Sequence, residues 1–306
     1  MSSLELTTPR PSRTPSRTAV LESERVLAAI EVRLRTTAAP VAPHNPSLEA
    51  LGDAYTARLA GHALDNLDRA IISYRLAERR LRHVPDATLP RARLLSKLGK
   101  AWYSRLVLAQ QGAVPGTRAV PVHARGHLNT AFEALDEAVN LFKERDVTDA
   151  AYIDALRVKG LVSGALCQLL SDDAGDTNDT KEKLPKKVSP HRYANECIAS
   201  LEPVLQIPHD NATSDPAKLR RLETITGVDR AEAVICLARA YVHVDSGRQQ
   251  IGKAVGLLAS VSGILKDVEA EGKDGDALQN MTREAEAQIV ALSGSVKVVE
   301  SRCLVC

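Results

Sequence analysis

The chain has 306 residues, of which 44% are hydrophobic and only 3% are aromatic. This apolar content is enough for a buried core, and a core of Ala, Leu and Val with few rings suits helix-on-helix packing better than a β-sandwich. The formal net charge of +2 at pH 7 gives no global indication of a nucleic-acid or membrane partner. No apolar run approaches the roughly 20 residues that a bilayer-spanning helix needs.

The two ends of the chain differ in composition from the part between them. The N-terminus is rich in Pro, Ser, Thr and Arg and has too little apolar surface to order itself. We therefore predict a disordered tail over 1–18, a helical domain over 19–292 and a flexible C-terminal tail over 293–306. The five cysteines are an odd number without a recognisable signal peptide, which favours a reducing compartment. We expect the protein to be cytoplasmic.

Helical periodicity dominates the region between the tails. Apolar residues recur at spacings of three and four, and no segment shows sustained period-two alternation. The pattern predicts a first helix over 20–35, four helix pairs and a final helix over 276–291. The predicted pairs span 47–60 with 65–83, 90–111 with 127–145, 149–170 with 190–206, and 216–243 with 249–268.

A small-residue signature recurs in these pairs, always in two halves. The first half reads Leu-small-x-x-aromatic and begins at Leu51, Leu98 and Leu237, and a degenerate first half, Gly160 with Gly164, lies in the third pair. The second half reads Ala-x3-apolar-x2-apolar and begins at Ala70, Ala131, Ala194 and Ala254. Small residues let a neighbouring helix approach closely, and the large residues fill the groove between the helices.

This signature resembles that of tetratricopeptide repeats, although the gaps between its halves are longer than in that family's 34-residue repeat. Helix pairs of this kind cannot bury their apolar faces alone and must stack. We therefore predict an all-α fold of antiparallel helix pairs stacked as a tetratricopeptide-like (TPR-like) α-solenoid.

The sequence contains no recognisable catalytic motif. A Gly-rich phosphate loop, a GxSxG elbow and a paired-carboxylate motif are all missing. His123 and His127 have the spacing of metal ligands on a helix but lack the intervening carboxylate of HExxH. We predict that the protein is not an enzyme and has no catalytic residue, metal ligand or cofactor. The enzymatic alternative requires a closed pocket with converging titratable groups.

A run of basic residues is the clearest candidate binding feature. Three arginines follow helical spacing and are predicted to share one face, opposite Leu76 and Ala77. Three further basic residues on the next helix are predicted to extend the patch. A patch of this kind suits RNA phosphates, an acidic peptide or an anionic lipid headgroup, and the alternative is an ordinary solvated face. The six residues are Arg75, Arg79, Arg82, Arg93, Lys97 and Lys100.

The last four residues, from Cys303 to Cys306, have the form of a prenylation box. The modified thiol would be that of Cys303, and the lipid would give reversible membrane affinity. The same residues also read as a lone CxxC, a weak redox or metal motif, or as a chance match.

From about Leu128 onward, the order of features is similar to a known family. The segments HLNTAFEALDEAVNLF and AAYIDALRVKGLVSGALCQLL lead into KEKLPKKVSP, followed by YANECIASLEPVLQIP, RAEAVICLARAYVHV and KAVGLLASVSGIL. This order resembles the C-terminal half of the sixty-eight-kilodalton subunit of the signal recognition particle. The resemblance implies a scaffold subunit of a ribonucleoprotein with a second helical-repeat subunit as partner.

The function predicted from the sequence is therefore a non-enzymatic helical-repeat scaffold. We expect its concave surface to hold a peptide or a helix of a partner protein, with RNA as a further partner through the basic patch. The alternative is a prenyl-anchored peripheral membrane adaptor, in which contact with a membrane depends on Cys303. The sequence leaves the oligomeric state open.

Overall fold

The computed structural model describes residues 21, 24–30, 32, 46–58, 60–111, 123–175, 189–205, 227–244, 248–270, 279–280, 282–283, 285–287 and 290. Throughout these ranges the only regular secondary structure is α-helix, which confirms the prediction of an all-helical protein. The main helices are α1 (Pro46–Thr56), α2 (Ala63–Leu81), α3 (Thr88–Gln111), α4 (Ala124–Glu144), α5 (Ala150–Gly175), α6 (Pro190–Leu205), α7 (Gly227–Val244) and α8 (Arg248–Ala270). None of the described helices has the combination of length and apolarity that a membrane crossing requires.

The helices form because their apolar residues fall on a stripe that another helix covers. In α4 the buried positions include Leu128, Ala131, Leu135, Ala138 and Phe142, which are three or four residues apart. This spacing keeps one face of the helix against its neighbours and leaves the opposite face to solvent. The same pattern explains why the predicted helix bounds and the observed ones mostly agree within three residues.

The glycines of the first half-signature lie where a side chain of a neighbouring helix leaves no room for a Cβ atom. A Cβ atom on Gly52 would lie closer than 3.0 Å to the ring of Tyr74, and one on Gly99 or Gly160 would overlap Leu135 or Leu201 in the same way. Tyr74 and these two leucines lie in or beside the second halves of the signature. The two halves are therefore complementary: one helix provides a gap and the other fills it.

The chain divides into two compact units, with the boundary at Val158 and Lys159 inside α5. In the first unit, α1 packs against α2, α2 against α3, and α3 against α4. Its core contains Tyr55, Tyr74, Leu94 and Leu98 among other buried residues. In the second unit, α6 packs against α7 and α7 against α8. Leu201 and Ile235 are fully buried in that unit.

Candidate partner-binding surface

The six candidate basic residues lie in two groups rather than in one patch. Arg75 and Arg79 on α2 and Arg82 at its C-cap line a common groove, to which α3 contributes Leu95 and Leu98. The three basic residues of α3 (Arg93, Lys97 and Lys100) face another way. Lys97 is two residues from Leu95 and therefore about 200° away around the helix. The structure brings the α2 arginines together and does not add the α3 residues to them.

The basic residues of α3 are paired with carboxylates from neighbouring helices. Lys97 Nζ lies 2.7 Å from both Glu49 Oε1 and Asp53 Oδ2 of α1. Burial lowers the pKa of Lys97, but the hydrogen bonds to Asp53 and Glu49 outweigh this and raise it. Glu49 and Asp53 thus stabilise the positive charge of Lys97. They also neutralise most of it, so that little attraction for an external anion is left.

Two more ion pairs join α3 to the start of α5. Arg93 Nη2 lies 2.8 Å from Asp149 Oδ2, and Lys100 Nζ lies 2.9 Å from Asp154 Oδ2. Asp149 also accepts a hydrogen bond from the backbone N–H of Tyr152 at 3.0 Å, so that it caps the helix as well. These contacts link α1, α3 and α5, the first helices of three successive predicted pairs.

The α2 arginines border an open groove of about 390 Å³ between α2, α3 and α4. Its apolar part comes from Leu95, Leu98 and Ala134, which are all buried. Its polar part includes both signs of charge. The lining residues are Arg75, Glu78, Arg79, Arg82, Leu95, Leu98, Thr130, Glu133, Ala134 and Glu137.

A charged network lies at one side of this groove. The Glu78 side chain is only 7% exposed, and it accepts hydrogen bonds from Arg82 and Arg91 at 3.1 Å. Arg91 also pairs with Glu137 on α4. Arg82 and Arg91 therefore serve as ion-pair partners of Glu78, because a buried carboxylate needs such partners.

Arg75 and Arg79 differ from the other candidates in having no ion-pair partner among the described residues. The guanidinium carbon of Arg75 lies 5.3 Å from the centroid of the Trp102 ring, a cation–π contact that orients the side chain and leaves its charge unneutralised. Arg79 is exposed at the rim of the groove. Of the six candidates, these two present a positive charge that is available to an anionic group of a partner.

Exposed apolar residues lie beside these two arginines. Ile72 is 58% exposed and Leu76 is 44% exposed, one helical turn apart on α2. We call Ile72, Arg75, Leu76 and Arg79 the α2 surface. Exposed apolar groups next to unpaired charges are typical of contact sites for other molecules.

One part of the sequence prediction was wrong here. Leu76 was expected on the face opposite the arginines together with Ala77, but only Ala77 is buried. The helical phase explains the difference, because Leu76 is three residues from Arg79 and therefore about 60° from it. Sequence reasoning missed Ile72 entirely, although its position midway between Arg69 and Arg75 could have revealed it.

The histidine pair belongs to the packing around Trp102. His127 stacks on Trp102 with ring centroids 4.9 Å apart, and His123 lies 6.3 Å from His127. Burial lowers the pKa of His127, and the positive charge of Arg105 adds to this. Within the described ranges, no group of three or more His, Cys, Asp or Glu side chains is arranged to hold a metal ion.

A second groove of about 370 Å³ lies between α6, α7 and α8 and is mostly apolar. Its charged groups already contact a tyrosine: the Tyr241 hydroxyl donates a hydrogen bond to Glu202, and Lys253 Nζ lies 5.1 Å from the Tyr241 ring centroid. Among the residues described, it therefore offers one positive charge without an ion-pair partner, that of Lys253, where the α2 surface offers two.

Several sequence predictions concern other parts of the chain. Cys303 and the predicted tails over 1–18 and 293–306 lie outside the described residues. The prenylation box and the tail boundaries therefore stay predictions.

The chain was also compared with known proteins. No family model matches the sequence, and no curated protein matches it significantly.

Proposed function

We propose that the protein is a non-enzymatic scaffold of TPR-like helix pairs, stacked as an α-solenoid, that binds an acidic amphipathic helix or peptide of a partner protein. The partner segment lies along the α2 surface and over the adjoining groove. This is helix-in-groove recognition, in which apolar anchors give affinity and charges fix orientation.

The helix packing supports the scaffold part of the proposal. The same glycine-to-large-residue contact occurs at Gly52, Gly99 and Gly160, in three successive helix pairs. A repeated contact of this kind is what a stack of similar helix pairs needs. Such stacks leave long helix surfaces open to partners.

The observation that carries the binding part is the composition of the α2 surface. Ile72 and Leu76 offer two exposed apolar contacts one turn apart. Arg75 and Arg79 lie on the same side of the helix and lack carboxylate partners among the residues described. An acidic helix with apolar residues spaced by three or four complements both features.

Affinity purification from native lysate with the full chain tests this proposal. Wild type, Arg75→Glu/Arg79→Glu and Ile72→Ser/Leu76→Ser are compared as baits. Arg125→Glu/Arg192→Glu is the charge-matched control, since both of these arginines are exposed and lie outside the α2 surface. We expect one partner to be recovered with wild type and control and lost with both α2 variants, and its cross-linked segment to be acidic. Equal recovery with all four baits would refute the α2 surface as the binding site.

The resemblance to the signal recognition particle subunit gives a specific form of the proposal. In that form the partner is a second helical-repeat subunit, and a small structural RNA is recovered in the same complex. Sequencing of the RNA in the purified material tests it. A partner recovered without structural RNA would leave the scaffold proposal standing and remove the ribonucleoprotein form.

The alternative function, a prenyl-anchored peripheral adaptor, is favoured by the terminal cysteine box of the sequence. Intact mass spectrometry of protein from its native host tests it directly. A prenyl addition located at Cys303 supports the anchor, and an unmodified C-terminus contradicts it. An unmodified C-terminus also agrees with the cytoplasmic location that we propose for the scaffold.

A further inference from the structure

Three cysteines meet in the second unit, one from each of three helices. Cys167 is on α5, Cys197 on α6 and Cys236 on α7. Cys167 and Cys197 are buried, whereas Cys236 is partly exposed. All three are free thiols in the structure.

Two of these thiols are in direct contact. Cys197 Sγ lies 3.7 Å from Cys236 Sγ, although the two residues are 39 positions apart in the sequence. Their helices, α6 and α7, pack against each other. A disulfide requires a sulfur–sulfur distance of about 2.05 Å, so the two sulfurs need to approach by less than about 2 Å to bond.

A glycine keeps the space around this pair open. A Cβ atom on Gly164 of α5 would overlap Cys236 Sγ and would lie 3.6 Å from Cys197 Sγ. Cys236 Sγ instead lies 3.9 Å from the backbone oxygen of Gly160. The sulfur pair thus occupies a gap that two glycines of α5 provide, and a larger residue at Gly164 would displace Cys236 Sγ.

We propose that Cys197 and Cys236 form a reversible disulfide that joins α6 to α7 when the protein meets an oxidised low-molecular-weight disulfide such as oxidised glutathione. The partly exposed Cys236 is the thiol that reacts first, and the buried Cys197 resolves the intermediate. This site does not depend on the α2 surface or on the scaffold proposal.

The reaction is a two-step thiol–disulfide exchange. The Cys236 thiolate attacks one sulfur of oxidised glutathione, whose S–S bond breaks, and the first glutathione leaves and takes up a proton. The Cys197 sulfur then loses its proton and attacks the Cys236 sulfur of the mixed disulfide, which releases the second glutathione. Two protein thiols are oxidised to one disulfide, and one glutathione disulfide is reduced to two thiols.

The environment of Cys197 sets the pace of the second step. The neighbouring Cys236 thiol and burial both raise the pKa of the Cys197 thiol. Burial likewise raises the pKa of Cys167 to about 12. A thiol with a raised pKa is almost entirely protonated at neutral pH, so the second step of the exchange is slow.

The test uses the full chain carrying Cys303→Ser/Cys306→Ser, so that thiols of the C-terminal segment do not compete. The folded protein is incubated with oxidised glutathione, quenched with acid and alkylated with N-ethylmaleimide under denaturing conditions. We expect the loss of two alkylated thiols, a mass decrease of about 2 Da before alkylation, and a cross-linked pair of peptides containing Cys197 and Cys236. Dithiothreitol should restore both thiols.

Single substitutions separate this disulfide from other oxidation. Cys167→Ser should still form the cross-link between Cys197 and Cys236. Cys197→Ser should stop at a glutathione adduct on Cys236. Cys236→Ser should keep both Cys167 and Cys197 as free thiols. A cross-link that involves Cys167, an adduct that never resolves in the parent chain, or oxidation only after unfolding would each overturn the proposal. Peptide mapping of the parent chain decides these outcomes even if a serine variant does not fold.

Discussion

Single residues decide how the α2 surface is charged. Arg82 and Arg91 converge on the nearly buried Glu78, while Arg75 rests on Trp102 and keeps its charge. Without Glu78, Arg82 would lose its carboxylate partner and Arg91 would keep only Glu137. Glu78 therefore forms ion pairs with two arginines that would otherwise offer further positive charge beside Arg75 and Arg79.

Replacing Glu78 tests this role. Glu78→Gln keeps the size of the side chain but removes the charge that holds Arg82 and Arg91, and we expect the free energy of unfolding to fall by about 1–3 kcal/mol. Urea denaturation measures the change. Glu133→Gln in the same groove is the control, because Glu133 is exposed and its replacement should change stability by less than about 0.5 kcal/mol. Equal effects of the two variants would contradict the network.

Asp154 gives a second prediction at the residue scale. Burial raises the pKa of Asp154, but the charges of Lys100 and Arg157 outweigh it, so that the pKa lies below its usual value of 3.8. A depressed pKa contributes stability that is present above pH 3.8 and is lost as the pH falls through the folded-state pKa.

We therefore expect Asp154→Asn to lose stability at pH 6 and to lose less on acidification from pH 6 to pH 3 than wild type does. Urea unfolding at the two pH values measures both effects. Glu144→Gln, which alters an exposed carboxylate at the end of α4, is the control. An acid-induced loss in Asp154→Asn as large as that of wild type would show that Asp154 does not contribute to it.

At the scale of helices, close packing depends on where the glycines lie. Gly99 faces Leu135 with no room for a methyl group, whereas Gly252 on α8 has no described atom within 4 Å of the position that a Cβ would take. The two glycines are both helical, so that the intrinsic cost of glycine in a helix is similar at each. Their difference is one of packing.

A pair of alanine substitutions separates the two effects. Gly99→Ala forces Leu135 to move and should destabilise the protein by about 1–3 kcal/mol. Gly252→Ala adds only helix propensity and should stabilise it by up to about 1 kcal/mol. Chemical denaturation of both variants gives the signs. A stabilising Gly99→Ala would mean that the first and second halves of the signature do not interlock.

The helices were largely predictable because periodic burial is a local property. The early end of α1 has a local cause that the pattern does not contain. Helix α1 ends at Thr56 rather than at residue 60, since the chain turns at Gly61, which has a φ of +84°, and Asn66 donates a hydrogen bond to the backbone oxygen of Ala60 at 2.9 Å. Helix α5 continues to Gly175, beyond the predicted end at residue 170.

At the scale of the molecule, the candidate site was only half predictable. The arginine spacing on α2 identified Arg75 and Arg79, but the pairing of the α3 residues depends on carboxylates from distant parts of the chain. Lys97 meets Asp53 across 44 positions and Lys100 meets Asp154 across 54. Such contacts follow from how helices distant in the sequence pack together, which the spacing of charges along one helix does not encode.

The net charge of the whole chain is also a poor guide to the binding site. The chain carries 40 basic and 38 acidic side chains, so its net charge does not favour a partner of either sign. If Arg75 and Arg79 bind an acidic segment in solvent, the interaction is screened by salt. Partner recovery should therefore decline as NaCl in the wash is raised, and a recovery that is independent of salt would indicate purely apolar binding.

The most direct measurement is the affinity of the purified full chain for the partner segment found by cross-linking, determined by calorimetry for wild type and Arg75→Glu/Arg79→Glu. The α2 surface predicts at least a tenfold weaker binding by the variant, about 1.4 kcal/mol, with Arg125→Glu/Arg192→Glu close to wild type. An unchanged affinity of Arg75→Glu/Arg79→Glu would contradict the central claim, because the two unpaired arginines would then play no part in holding the partner.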